Sequence, residues 1–427
     1  MTVGSKGGDS TALSDGRCRV AHGLTSEYNP MMPPHRDDPY TYYRLARMDH
    51  SVSYSALLDT WAITRYEDIQ AVLGDSAHYS SRCAVPSLAQ NPPEVLRILG
   101  QGIPDGRLLI QQDPPEHSSY RSIVNHAFAG HRINALRPQM QAVADRLIAR
   151  FMSEGEADLV AQFADEYICQ VSAIAFGAPV ADAARIRRWD ADVFVLLDPT
   201  AQMDAKKEAA TRFIEYQHYF VDLINERRSE PRDDLLSGLI RSAEQADPPL
   251  SFVDLITQCW EFFTAGLHTP RDTITSAILN MLTDERHYWE QACKEPDKIS
   301  AIVEETLRRN GPLKGISRET TAPVELGGVG LPARAPLFLL LGSGNRDERQ
   351  FHEPDRFEPT RPDVRKHLSF GSGIHLCPGA NLARSEIRVA LTSLTENIPA
   401  MTLAEQFTPS YVPAFFFHGL ERLDVVW

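Results

Sequence analysis

No stretch of this 427-residue sequence stays apolar for anything near the roughly 20 residues that a membrane-crossing helix needs. The longest such run, Ala335 to Leu341, has the length of a buried strand. Positive charge is also in short supply: 43 Lys and Arg stand against 57 Asp and Glu, a formal net charge of −14. Phosphate backbones are bound by basic faces, so nucleic acid is not an expected partner. Cysteines are few and lie apart, at 18, 83, 169, 259, 293 and 377, with no CxxC pair. That argues against a disulfide scaffold and fits a reducing, cytoplasmic setting. Met1 to Gly23 is polar, without the apolar core of a secretory signal. Residues 1–25, rich in Gly, Ser and Asp, read as a disordered tail ahead of a single domain over 26–427.

The hydrophobic share of 43% is ordinary for a soluble globular protein with a large core. Asp38 to Met48 and Tyr66 to Leu73 carry a helical period, and Val52 to Thr64 alternates like a hairpin turning near Asp59-Thr60. Ser80 to Pro104 is irregular, with room for a short helix at Glu94 to Leu99. From Arg132 to about Gln245 the pattern is nearly all helical, with breaks near Gly155, Gly177 to Pro179, Pro199-Thr200 and Ser229 to Asp233. A weak capping box at Ser251-Phe-Val-Asp254 opens a long apolar helix to Leu282. Within it Pro270 cannot donate to the Gly266 carbonyl, so a kink that leaves this acceptor open is expected there. Val324 to Leu341 reads as short strands turning at Gly327-Gly328 and Pro332.

The most informative stretch runs from Leu368 to Arg384. Three glycines, Gly371, Gly373 and Gly379, surround Cys377, and Ala380 to Thr392 has a helical pattern. With Pro378 at the first helical position, Cys377 would sit at a helix N-terminus, whose N–H groups and dipole favour a thiolate. One thiolate alone suits an iron porphyrin better than zinc, which needs several ligands. A buried, inert cysteine is the bland alternative.

Phe-Gly-x-Gly-x-His-x-Cys-x-Gly-Ala, spanning Phe370 to Ala380, resembles the haem-binding loop of the cytochrome P-450 family at every signature position. The resemblance implies that Cys377 is the axial ligand of the iron of haem b, iron protoporphyrin IX, with Phe370 packed beside it and Gly371 shaping the loop. Asp113-Pro-Pro-Glu-His-Ser-Ser-Tyr-Arg121 matches the motif whose His and Arg bind haem propionates. His117 and Arg121 take those roles, and Arg318 and His375 match two further propionate positions. Ala265-Gly-Leu-His-Thr269 aligns with the oxygen-activation motif. Ala265 and Gly266 would then face the haem, and Thr269 supplies the alcohol used in dioxygen activation. The family usually has Asp or Glu before that threonine, whereas this chain has His268. Imidazole shuttles protons well, so His268 either relays protons in place of the acid or has swung away. Glu305 and Arg308 match a structural Glu-x-x-Arg pair, with Arg356 of Pro354-Asp-Arg-Phe357 as its third member. Arg334 stands where the family has a turn glycine.

The implied fold is mainly α with a smaller β-rich part, a helical triangular prism around a buried haem. Ser80 to Pro104 would cover the substrate pocket, and Asp190 to Thr211 has the position of its mobile lid. Helical arithmetic puts Glu261 one turn from Ala265, either toward the pocket or exposed to solvent. Thr264 on the same helix, and Phe415 and Phe416 of the last hairpin, are further pocket candidates, although core aromatics look alike in sequence. The implied activity is that of a monooxygenase which activates dioxygen to oxidise a small organic molecule, on family analogy in natural-product tailoring. Oxidative ring closure or coupling without oxygen insertion is an alternative, and a non-catalytic haem-binding recruiter a remote one, against which Thr269 argues. No flavin or iron–sulfur domain is evident. Electrons are therefore expected from a separate ferredoxin and ferredoxin reductase, docking on Arg361, Arg365, Lys366 and Arg384.

Overall fold

The computed structural model describes residues 27–283 and 286–427, so the expected tail over 1–25 lies outside it. Its axis is the 31-residue helix Phe252–Leu282, most of whose residues are buried. Ser251 caps this helix by accepting the Asp254 N–H at 3.0 Å. The Ser251 hydroxyl also donates to the Asp254 carboxylate at 2.7 Å, so the box closes side chain to side chain. The helix continues through Pro270 without ending there. Thr269 Oγ1 donates to the Ala265 carbonyl at 2.9 Å and Thr273 Oγ1 to the Thr269 carbonyl at 2.8 Å. Two side-chain donors thus serve carbonyls in the stretch where proline removes one N–H.

Packed against this helix are Asp165–Ala175, Met203–Ser229, Ile299–Arg309 and Ala380–Asn397, with Gly130–Phe151 behind the last. A five-stranded sheet flanks the helices in the order Val52–Ser55, Thr60–Ile63, Pro336–Leu339, Ile316–Thr320, Tyr79–Ser80. The apolar run at Ala335 to Leu341 supplies its middle strand. Leu337 and Leu339 enter one core cluster while Phe338 and Leu340 enter another, the period-two alternation of a strand covered on both faces. The helix-rich prism with a smaller sheet is the architecture expected. No described helix is long and apolar enough to cross a membrane. The five described cysteines are all free thiols.

Arg334 holds φ +61°, in the left-handed region where the missing glycine would be at ease. Its guanidinium is exposed, reaching Glu319 only at 3.9 Å. Arg334→Gly is therefore expected to stabilise the protein by about 1 kcal/mol, the relief of the left-handed Cβ clash, read from urea melts.

The Glu305–Arg308 pair is a fully buried bidentate bridge, with Nη2 at 2.7 Å and Nε at 2.8 Å from the carboxylate oxygens. The assignment of Arg356 as its third member needs correction. Arg356 is 63% exposed and pairs with Glu353 and Glu358, and only its carbonyl accepts from Arg308, at 3.2 Å. Arg361 is the buried cation beside Glu305, with Nε at 3.6 Å and 6% exposure. It is anchored by the carbonyls of His352, Glu353 and Arg356. The carboxylates of Glu353 and Glu358 draw Arg356 outward, and the chain returns five residues later to supply the inward cation.

Candidate haem-binding site

The loop around Cys377 is folded back on itself by main-chain bonds. Gly371 and Gly373 take φ of +71° and +68°, and a Cβ on Gly373 would collide with the Leu73 carbonyl. The Cys377 N–H donates to the Phe370 carbonyl at 2.9 Å and the Gly371 N–H to that of Leu368 at 2.8 Å. Phe370 carries the Arg384 guanidinium 4.5 Å from its ring centroid. The following helix begins at Ala380 with Gly379 as its cap, so Pro378 precedes the cap instead of opening the helix. Cys377 is thus two residues further out than expected. Burial pushes its thiol up, and the Gly379 and Ala380 N–H groups with Arg121 and Arg384 only partly oppose this. The helix terminus alone does not produce a thiolate here, because desolvation is the larger effect. A bound metal cation would deprotonate it outright.

His117, Arg121, Arg318 and His375 are brought together. The two imidazoles lie 4.3 Å apart between centroids, and the Nε2 atom of each is buried without a partner. Arg318 is 4% exposed, yet its one side-chain bond goes to the neighbouring Ser317 carbonyl at 2.7 Å. Arg121 is bonded through Nε to Asn125 at 3.0 Å. Among the described residues, neither arginine has a carboxylate within ion-pair distance. Burial holds Arg318 down to about 10. Burial, followed by Arg318 and His117, takes His375 down to about 3. Buried donors without acceptors are costly, so this cluster is built for an anion with several oxygens. Two propionate groups meet that requirement, and the residues fit haem.

On the central helix Ala265 is exposed and a Cβ on Gly266 would meet nothing within 4 Å, an open patch in an otherwise buried helix. Thr269 is half-buried there, and Thr264 Oγ1 is buried without a partner. The Nε2 atom of His268 meets Asp190 of the Ala183–Leu197 helix at 2.8 Å. Phe194 meets its ring edge-on at 4.7 Å, and Phe417 lies at 5.5 Å.

The remaining pocket candidates are placed differently from expectation. Phe415 and Phe416 pack on Phe338, at 5.0 and 6.1 Å, beside the sheet. It is Phe417 that turns toward His268, its ring centroid 5.5 Å away, where the chain bridges to Leu313. Glu261 is neither exposed nor free. It accepts the Leu109 and Ile110 N–H groups at 2.8 and 3.0 Å and Gln258 Nε2 at 3.1 Å. Asp254 accepts from the Arg107 N–H, Thr257 from that of Gly106, and Gln258 donates to the Arg107 carbonyl. One polar stripe of the helix, at 254, 257, 258 and 261, therefore fastens the backbone of residues 106–110. Burial raises the Glu261 carboxyl from 4.5 to about 7 despite its three donors. A group raised on folding keeps a proton that the unfolded chain releases, so stability falls as pH rises through that window. The wild type should lose stability relative to Glu261→Gln between about pH 4.5 and 7, with no further divergence above it, as urea melts would show.

The observed roles of Asp190, Phe194, Phe417 and Arg361 were missed in the sequence, which placed Asp190 only at the start of the lid segment and Arg361 only in a docking patch. Nothing local marks the pairing of Asp190 with His268.

A cysteine in a glycine-shaped loop, an open mid-helix patch and a buried cationic cluster define a haem-thiolate protein. The sequence model of the family described as Cytochrome P450 matches residues 58–399, and the chain belongs to that family. Its members bind haem b through a cysteine thiolate and act as monooxygenases on small molecules with dioxygen and redox partners. The chain is 34% identical to mycinamicin IV hydroxylase/epoxidase of Micromonospora griseorubida, over 86% of this chain and 90% of that protein. It is 34% identical to nocardicin C N-oxygenase of Nocardia uniformis subsp. tsuyamanensis, over 83% and 85%. The solved haem domain of the Tepidiphilus thermophilus P450 superposes with a TM-score of 0.87 at 27% identity, covering 95% and 97% of the two chains.

Proposed function

We propose that residues 26–427 form a single domain of a cytoplasmic haem-thiolate monooxygenase that oxidises a small organic molecule in natural-product tailoring. The observation that carries this reading is the cluster of four buried or half-buried donors beside the Cys377 loop, without an anionic partner of their own. The tailoring role is supported by the named activities of the two relatives. Haem, when bound, would supply reductive activation of dioxygen, tuned by the cysteine thiolate. Cys377 would hold its iron, and His117, Arg121, Arg318 and His375 would neutralise and orient its propionates. Ala265 and Gly266 leave clearance, and Thr269 holds and delivers a proton at Oγ1. His268 is tied to Asp190 and takes no part in that delivery.

Electrons come from a separate ferredoxin and its reductase. Arg365 and Lys366 are exposed for docking, whereas Arg361 is buried and leaves the expected patch, and Arg384 is engaged with Glu304. A groove beside the Ala380–Asn397 helix adds Arg137 and Arg388. The withdrawal of His268 favours one second reading, oxidative ring closure or coupling, in which the substrate itself supplies protons.

The test is turnover with a surrogate ferredoxin, its reductase and NADPH over a compound library, read by product mass. Gain of one oxygen atom is expected, and loss of two hydrogens would favour the second reading. Thr269→Ala should lower product formed per NADPH consumed by about tenfold or more. Unchanged coupling would remove Thr269 from its role.

A further inference from the structure

Asp190 is 1% exposed, and apart from His268 it has no hydrogen-bond or ion-pair partner among the described residues. The neighbouring charges are already matched: Arg187 and Arg271 pair with Asp165, and Arg271 also with Asp272. A carboxylate can only accept, so the His268 nitrogen facing Asp190, Nε2, carries the hydrogen. With the hydrogen on Nε2 alone, Nδ1 is a bare acceptor, and it has no protein partner among the described residues. The ring is 28% exposed, next to Thr269 in the chain, with Phe194 and Phe417 against it. A single polar atom between aromatic side chains is the arrangement that fixes a ligand's orientation.

We propose that His268 is a specificity-determining residue which accepts a hydrogen bond at Nδ1 from a hydroxyl or N–H of the substrate, and that Asp190 is the positioning residue which fixes its tautomer. This rests on the haem-pocket reading above. It makes the departure from the family's acid a substrate-reading feature, and it couples the Ala183–Leu197 helix to the occupant of the pocket.

The test uses the haem-loaded full chain. Each variant is first reduced and exposed to carbon monoxide; a missing thiolate band would fail the haem reading, and a normal one leaves the present inference alone on trial. Nitrogen-15 NMR of the histidine rings in the ferrous carbon monoxide form should find His268 as the neutral Nε2–H tautomer. It should also show that form lost in Asp190→Asn, whose amide can donate to Nε2. A ring in the Nδ1–H or doubly protonated form at neutral pH overturns the proposal. Displacement titrations then compare 4-cyclohexylphenol with its methyl ether, one skeleton with and without the donor. The wild type should prefer the phenol by about tenfold, the worth of one hydrogen bond. His268→Phe and Asp190→Asn should abolish the preference, and His268→Asn, which places Oδ1 near the position of Nδ1, should restore part of it. Equal binding of both probes by the wild type, or an undiminished preference in His268→Phe, overturns it. A purely structural bridge would lower stability in these variants without moving the ratio.

Discussion

Cys377→Ala is expected to give a folded protein with no red-shifted Soret band when reduced and exposed to carbon monoxide, and with no product formation above background. The band reports thiolate ligation, and no other described cysteine lies in a comparable loop. Cys169, Cys259 and Cys293 lie inside helices, and Cys83 has no glycine within five residues of it. Folding should be spared because the loop is held by main-chain bonds and glycine geometry, neither of which needs the sulfur. A urea midpoint within about 0.5 kcal/mol of the haem-free wild type is the expected result. Retention of the band would mean that another atom binds the iron.

Glu305→Ala should have the largest effect on stability. It strips the acceptor from Arg308, whose guanidinium is fully buried, and takes the nearest carboxylate from Arg361. Breaking a buried pair from one side costs about 3–5 kcal/mol, enough to deplete the folded protein. Arg361→Ala should follow in the same direction with a smaller loss. Arg356→Ala should stay within about 0.5 kcal/mol, since that side chain is largely in water. Urea melts of the three variants decide which arginine belongs to the buried cluster, and equal losses at 356 and 361 would contradict the assignment.

The two arginines show where sequence reading stopped. Motif order located the segment, but which of two cations five residues apart turns inward depends on the path of the turn and on the acids at 353 and 358. The same limit applied along the central helix. Its boundaries were legible because the cap and the apolar run are local signals, and the propionate-side residues were legible because each falls in a distinctive motif. Asp190 was not, since its pairing with His268 joins residues 78 apart. Glu261 was left either facing the pocket or exposed, and its partners are backbone N–H groups, which leave no trace in the identity of residues 109 and 110.

The stripe at 254, 257, 258 and 261 grips residues 106–110 by their amides and carbonyls, so the side chains of Leu108 and Ile110 are free of that duty. A panel bolted on through its frame can be refaced without being rehung. The path of residues 106–110 is therefore expected to stay put when the side chain of exposed Ile110 is exchanged.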